Sequence, residues 1–299
     1  KCWKKIPKTV KKKIIVLSNY KLLKDQFKKL KYDIKLVKIN DFSNNNASEL
    51  KIWDIDLFYK NPFKVSKKSV KKFISLSLNL AHKFGLKKSV AGIINCPINK
   101  KLLGNGKNGV TEYLAKKCLI KDNSEVMVIR NKHLMVSPIT THVSIKSISN
   151  KITKSVIIKK IKIINKWFIE NFKKKPSIAI LGLNPHNAEL RKDSEEKKII
   201  IPAIKKLKSS GIRIKGPLVA DTIFINEYKN FDFIVGMYHD QVLAPFKSLY
   251  KFNAINLTLG LKYVRVSPDH GVANDKIMKK ISSPSSLLEC INYINKLSS

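Results

Sequence analysis

Short apolar runs alternate along this chain with longer stretches in which apolar residues recur every three or four positions. Lys13–Ser18, Ser89–Asn95, Glu125–Arg130, Ser177–Leu183 and Phe231–Met237 read as buried strands, because such compact apolar runs suit a sheet covered on both faces. Between them Val70, Phe73, Ile74, Ser77, Ala81 and Phe84 fall on one face of a helix, and Gly85 is expected to cap its C-terminus. Ile157, Ile161, Ile164 and Phe168 trace a second helical stripe. The alternation predicts an α/β protein with a largely parallel sheet. No internal repeat, low-complexity linker or Pro/Gly-rich hinge marks a domain boundary.

Composition narrows the class. With 299 residues, 43% of them hydrophobic, the chain can bury one large core or two moderate ones. No apolar run approaches the roughly 18 to 20 residues needed to span a bilayer, and the short IIVLS run lacks a small-residue cleavage signature. A soluble, cytoplasmic protein without membrane partners is expected. Cys2, Cys96, Cys118 and Cys290 form no C-x-x-C pair, which fits a reducing compartment. The chain begins at Lys1 rather than methionine and reaches its first strand-like run almost at once, so it reads as N-terminally truncated. A formal charge of +39 would ordinarily point to nucleic acid. Here the lysines are spread through every segment and only Arg130, Arg191, Arg213 and Arg265 are arginines, whereas phosphate and base recognition favours the guanidinium fork. A nucleic-acid partner is therefore not expected.

Candidate chemistry gathers around the histidines. The run Ser177–Leu183 leads directly into Asn184, Pro185 and His186, and Phe231–Met237 leads into Tyr238, His239 and Asp240. Ligands of open α/β sheets bind beyond the carboxyl ends of strands, so these histidines are candidates for one shared site. His142, in a polar turn-like segment, is a third imidazole, and three neutral imidazoles suit a borderline divalent metal such as zinc. Asp240 fits either an orienter of the His239 ring or a helix cap. Asp221, surrounded by small and apolar residues in GPLVADTIF, is a candidate for proton transfer. Lys247, Asn256 and Arg265 follow at nine-residue intervals and could converge on a phosphate, or could be strand-end surface residues. Gly104, Gly106 and Gly109 spell a literal G-x-G-x-x-G. Residues 97–103 separate it from the preceding strand, so it reads as a loop before a helix starting near Thr111 rather than as a dinucleotide fingerprint.

The segments CPINK, GVTEYLA, GLNPHNAEL, GPLVADTIF, YHDQVLAPFK and INLTLGLKYVRVSPDHGVAND resemble, in order and spacing, the signature segments of the 4-hydroxythreonine-4-phosphate dehydrogenases. The resemblance covers roughly Ser89 to Asp275. It implies a homodimer of two α/β/α domains related in fold to isocitrate and isopropylmalate dehydrogenases, with the active site in a cleft near the subunit interface. The implied division is 1–110 plus 266–299 for the first domain and 111–265 for the second. It also implies a divalent metal (Zn, Mg or Co) on His142, His186 and His239, shared across the dimer. Thr111, Lys247, Asn256 and Arg265 would contact a small phosphorylated substrate, and Gly271, Ala273 and Asp275 would contact NAD or NADP. The implied reaction is oxidation of 4-hydroxy-L-threonine 4-phosphate to a 3-keto acid that decarboxylates to 3-amino-2-oxopropyl phosphate, in pyridoxine 5'-phosphate biosynthesis. Asp221 is the acid/base candidate.

Three departures bear on that expectation. Val110 stands where the family has a histidine before Thr111, which predicts weaker or rearranged phosphate binding. It also leaves room for a paralogous dehydrogenase of a threonate or erythronate phosphate. Asn187, Ala188 and Glu189 replace a glycine-rich continuation after His186, the feature that would suit a catalytically silent metal-binding scaffold. The family's Gly-Asp-Pro-rich N-terminal segment would precede Lys1.

Overall fold

The computed structural model describes residues 1–103, 109–120, 124–251, 253–276, 279 and 281–297. Gly104 and Gly106 of the glycine motif lie outside these residues. The chain forms two compact units, Lys1–Lys117 with His270–Ser299, and Cys118–Asp269.

The first unit opens with the single turns α1 (Cys2–Lys5) and α2 (Lys8–Lys11). It continues through β1 (Ile15–Ser18), α3 (Tyr20–Leu30), β2 (Leu36–Ile39) and β3 (Leu50–Asp54). These strands make a parallel sheet in the order β1-β3-β2. Asn19 sets the β1–α3 junction: its Oδ1 accepts the Leu22 N–H at 2.8 Å as an N-cap, and its Nδ2 donates to the Ile55 carbonyl at 3.0 Å. Lys51 is buried in the central strand, where its ammonium donates to the carbonyls of Lys12 and Asn44, and burial holds its pKa below the ordinary lysine value.

The first predicted stripe becomes α4 (Lys67–Gly85), capped by Ser66. Gly85 does not serve as the expected cap. It is the buried last residue of the helix, and the chain leaves through Leu86 in a right-handed conformation that any residue adopts. The run Ser89–Asn95 shortens to β4 (Ile93–Ile94). In α5 (Val110–Lys117) the Glu112 carboxylate reaches back to accept the Gly109 N–H at 2.9 Å, a side-chain cap that starts the helix close to where the sequence placed it.

The second unit begins with the hairpin β5 (Val126–Arg130) and β6 (Met135–Thr140), whose turn is closed by Asn131 Oδ1 accepting the His133 and Leu134 N–H groups. After α6 (Ile148–Lys151) come α7 (Lys154–Phe172), β7 (Ile178–Leu181), α8 (Ile201–Ser209), β8 (Ile214–Leu218) and α9 (Ala220–Ile223). Then follow β9 (Phe233–Tyr238), α10 (His239–Tyr250), β10 (Ile255–Leu259) and β11 (Arg265–Pro268). The helix α11 (Ser285–Leu297) returns to the first unit, where Ile291 packs on Ile6 and Val10.

Within the second unit the strand order is β11-β10-β5-β6-β9-β7-β8. The sheet is mixed rather than largely parallel: β6, β9, β7 and β8 pair in parallel, while β5, β10 and β11 pair antiparallel. The turns 131–134 and 260–264 are too short for the crossover that a parallel pair requires. Met127, Ile129, Val136, Leu181 and Ile234 join Phe246 of α10 in one core cluster. Their strand neighbours Val126, Val128, Ile180 and Val235 point to the other face and are equally buried. There α7 packs on β5, β6 and β10 with Ile157, Ile161, Ile164 and Phe168 all inside. Each such side chain contributes about 1.5–3 kcal/mol of burial energy. The chain is thus an α/β protein whose second unit has helices on both faces of its sheet.

Candidate active site

Four adjacent parallel strands end side by side in the second unit, and each delivers one candidate group just past its carboxyl end. In sheet order, β6 is followed by His142, β9 by His239, β7 by His186 and β8 by Asp221. The placement follows from parallel pairing, which brings all four carboxyl ends to one edge. The rings of His142 and His239 face each other with centroids 5.9 Å apart, and His186 Nε2 lies 3.8 Å from Asp221 Oδ2. Among the described residues no group of three or more His, Cys, Asp or Glu side chains stands close enough to hold a metal ion. The edge therefore carries two pairs.

The donor chemistry of the first pair suits a divalent cation. His239 opens α10, and its Nδ1 pairs with Asp240 Oδ1 at 2.6 Å. With the Nδ1 proton held by this carboxylate, the Nε2 lone pair is left for a ligand, the arrangement by which carboxylates orient metal-bound imidazoles. Asp240 thus both occupies the first turn of a helix and orients the ring. In the second pair Asp221 differs from its expected setting. It is exposed in α9 while its apolar neighbours Ile223 and Phe224 turn inward. What addresses it is the His186 ring, not burial.

The backbone that carries His186 is unusual. His186, Asn187, Ala188, Glu189 and Leu190 all have φ between 45° and 58°, a left-handed turn built without a glycine. Each such non-glycine residue costs about 1–2 kcal/mol, less for asparagine. Asn187 holds the turn from within by donating to the Pro217 carbonyl at 3.1 Å. Gly182, at the end of β7, leaves room for it, since a Cβ there would stand 2.0 Å from Asn187 Oδ1.

Sequence reading missed three residues that build this edge. Glu196 is fully buried, and its Oε1 accepts the N–H groups of Leu183 at 2.7 Å and Asn184 at 2.8 Å. Burial pushes its pKa up, but the donors from Asn184 and Leu183 outweigh this and hold it below the ordinary value. Glu195 accepts from the Ser149 hydroxyl and from Asn184 Nδ2, which likewise hold its pKa down. Gln241 accepts the Met237 N–H at 2.7 Å and donates to the Gly182 carbonyl at 2.8 Å, joining the ends of β9 and β7. The sole hint in the sequence was the position of Gln241, two residues after His239.

The cationic residues form a second polar patch. Asn256 and Thr258 of β10 pair in register with Ser267 and Arg265 of β11, so the four share one face. Arg265 is buried and donates to Thr258 Oγ1 at 2.8 Å, which sets aside the reading of strand-end surface residues. Asn256 Oδ1 is buried with no hydrogen-bond partner among the described residues. Lys247 of α10 lies 3.4 Å from the buried carboxylate of Asp269. In the first unit Thr111 sits half-buried in the first turn of α5. Ala273 takes a left-handed φ of 47°, Asp275 is exposed, and a Cβ on Gly271 would meet open space, so no close contact demands glycine there.

The chain is similar to known proteins over most of its length. It is 42% identical to the 4-hydroxythreonine-4-phosphate dehydrogenase of Sulfurihydrogenibium sp. (strain YO3AOP1) over 265 residues, 87% of this chain and 80% of that one. It is 31% identical over 297 residues to an Oceanobacillus iheyensis protein provisionally named D-threonate 4-phosphate dehydrogenase, 95% of this chain and 88% of that one. The crystal structure of 4-hydroxythreonine-4-phosphate dehydrogenase from Klebsiella pneumoniae superposes with a TM-score of 0.82 at 26% identity, covering 95% of this chain and 90% of that one. The model of the family described as pyridoxal phosphate biosynthetic protein PdxA matches residues 10–294, and the chain belongs to that family.

Proposed function

We propose that this protein oxidises 4-hydroxy-L-threonine 4-phosphate at C3 with NAD or NADP, in a reaction that needs one divalent metal ion (Zn, Mg or Co). The 3-keto acid then loses carbon dioxide to give 3-amino-2-oxopropyl phosphate, a step of pyridoxine 5'-phosphate biosynthesis. The observation that carries this reading is the alignment of His142, His239, His186 and Asp221 at the carboxyl ends of four adjacent parallel strands, in a chain of the PdxA family.

His142, His186 and His239 would hold the metal. His142 and His239 already face each other, and His186 would meet them or their counterparts in a second copy of the chain. Exposed Val143, Ile145, Leu190 and Ile225 lie on the segments that follow these strand ends, and a homodimer formed at this edge would cover them. Bound there, the cation would lower the pKa of the substrate hydroxyl and stabilise the negative charge that develops as carbon dioxide leaves. NAD or NADP would supply the hydride acceptor for C3, and Asp221 beside His186 is the candidate base for the hydroxyl proton.

Lys247, Asn256 and Arg265 would grip the phosphorylated acid. Two cations supply charge-assisted donors, and the unpartnered Asn256 oxygen supplies an acceptor for a substrate ammonium or hydroxyl. Thr111 would add a hydroxyl at the start of α5. Gly271, Ala273 and Asp275 remain the proposed contacts of NAD or NADP. No helix among the described residues is long and apolar enough to cross a membrane, which accords with a cytoplasmic enzyme.

A second reading, oxidation of D-threonate 4-phosphate or a related four-carbon acid, is favoured by Val110 and by the likeness to the Oceanobacillus protein. The two substrates differ in carrying an ammonium or a hydroxyl at C2. Turnover of both, side by side, at equal concentrations separates the readings: the proposal expects higher kcat/KM for the amino acid. A preference for threonate phosphate would replace it with the second.

A further inference from the structure

Glu196 is used by none of these steps, yet it is the most completely enclosed carboxylate of the edge. It begins a single π-helical turn, Glu196–Ile200, that leads into α8. Its Oε1 takes the backbone N–H groups of both residues that follow β7 and Gly182, and its Oε2 takes Asn184 Nδ2 at 3.1 Å. An enclosed carboxylate is tolerated only when its lone pairs are satisfied. Satisfying them here freezes Leu183 and Asn184 in one orientation. His186 lies two residues beyond Asn184 and starts the left-handed turn, a conformation that non-glycine residues hold only when the surroundings impose it. A glycine-rich segment would reach this conformation unaided. This chain has none there, so its backbone depends on anchors outside the turn.

We propose that Glu196 is a positioning residue: its carboxylate fixes the direction in which the chain leaves β7 and so sets where the His186 imidazole stands relative to Asp221 and the metal site. The inference rests on the reading of His186 as a metal ligand.

The test compares the full-length wild type with Glu196→Gln, using zinc titration calorimetry and hydrogen exchange of the native, metal-free protein. Glutamine keeps the shape but turns one acceptor into a donor facing the Asn184 amide group. The expected result is at least a tenfold loss of zinc affinity, within the range for loss of a group that supports a ligand. Faster exchange confined to residues 187–190 should accompany it, with α10 unchanged; a merely stabilising role would not localise the effect. If Glu196→Gln does not fold, Asn184→Ala removes one donor and leaves the carboxylate in place, and at least a threefold loss of zinc affinity is expected. Unchanged affinity and exchange in the folded variant would overturn the inference. A wild type that binds no zinc, magnesium or cobalt would instead overturn the metal reading, and the exchange at 187–190 would still decide whether Glu196 holds the turn.

Discussion

The side-chain amide of Gln241 donates to the Gly182 carbonyl at 2.8 Å while its oxygen accepts the Met237 N–H at 2.7 Å. One side chain thereby spans the ends of β9 and β7, the strands that carry His239 and His186. Gly236 makes room for it, since a Cβ there would lie 2.8 Å from Gln241 Oε1. Gln241→Ala should cost about 1–3 kcal/mol of stability, because it strands two backbone groups beside the core. It should also weaken metal binding by about tenfold or more. Denaturant unfolding with a metal titration checks both. A variant with wild-type metal affinity would show that the spacing of the two histidines is set elsewhere.

His239 and Asp240 give a second test. Replacing His239, or the proposed ligand His186, with alanine should abolish metal-dependent turnover and leave the fold intact, since neither ring belongs to the core. Asp240→Asn should keep a hydrogen bond to the ring but lose its charge, lowering metal affinity by about tenfold. Circular dichroism and metal content of the purified variants read the result. Wild-type activity in either alanine variant would remove the site.

Arg265 should behave as a buried residue as well as a binding one. Arg265→Ala is expected to raise the substrate KM, as loss of a charged grip on the ligand does. Because the side chain is buried and bonded to Thr258, the variant should also lose about 1–3 kcal/mol of stability. An unchanged KM at saturating metal would reject the assignment.

The two glutamates under the β7 loop predict an acid limb in stability. Both Glu195 and Glu196 have folded-state pKa values below the ordinary 4.5. Groups depressed in this way stabilise the fold above the unfolded-state pKa, and that contribution is lost as pH falls through the folded-state values. Stability should therefore decline as pH is lowered below about 5, and Glu196→Gln should flatten the decline. Unfolding midpoints measured from neutral pH down to the acid range test this, and identical pH profiles would contradict it.

The sequence reading reached some of this arrangement and not the rest, for identifiable reasons. His186 and His239 stood out because each follows a compact, largely apolar run, and the structure places them beyond β7 and β9. The strand before His142 did not: in β6, MVSPIT, Ser137 and Pro138 interrupt the apolar run, although both positions are inside the paired sheet. The apolar pattern therefore could not place His142 beside His239, and only the family resemblance grouped the two. β10 and β11 were hidden in the same way by Asn256, Thr258, Arg265 and Ser267, and the polarity of Asn256 and Arg265 instead suggested binding. Glu196 lies in a charged stretch and differs in no local way from its solvated neighbours. Its burial comes from a meeting with Leu183 and Asn184, which only the fold creates.

The most direct test is NADH or NADPH formation by the purified protein with 4-hydroxythreonine 4-phosphate, measured before chelation, after it, and after adding back zinc, magnesium or cobalt. Turnover that disappears with the chelator and returns with the metal is the predicted result. No turnover from a folded protein that retains its metal would contradict the account, and would favour a related phosphorylated acid as substrate or a silent metal-binding scaffold.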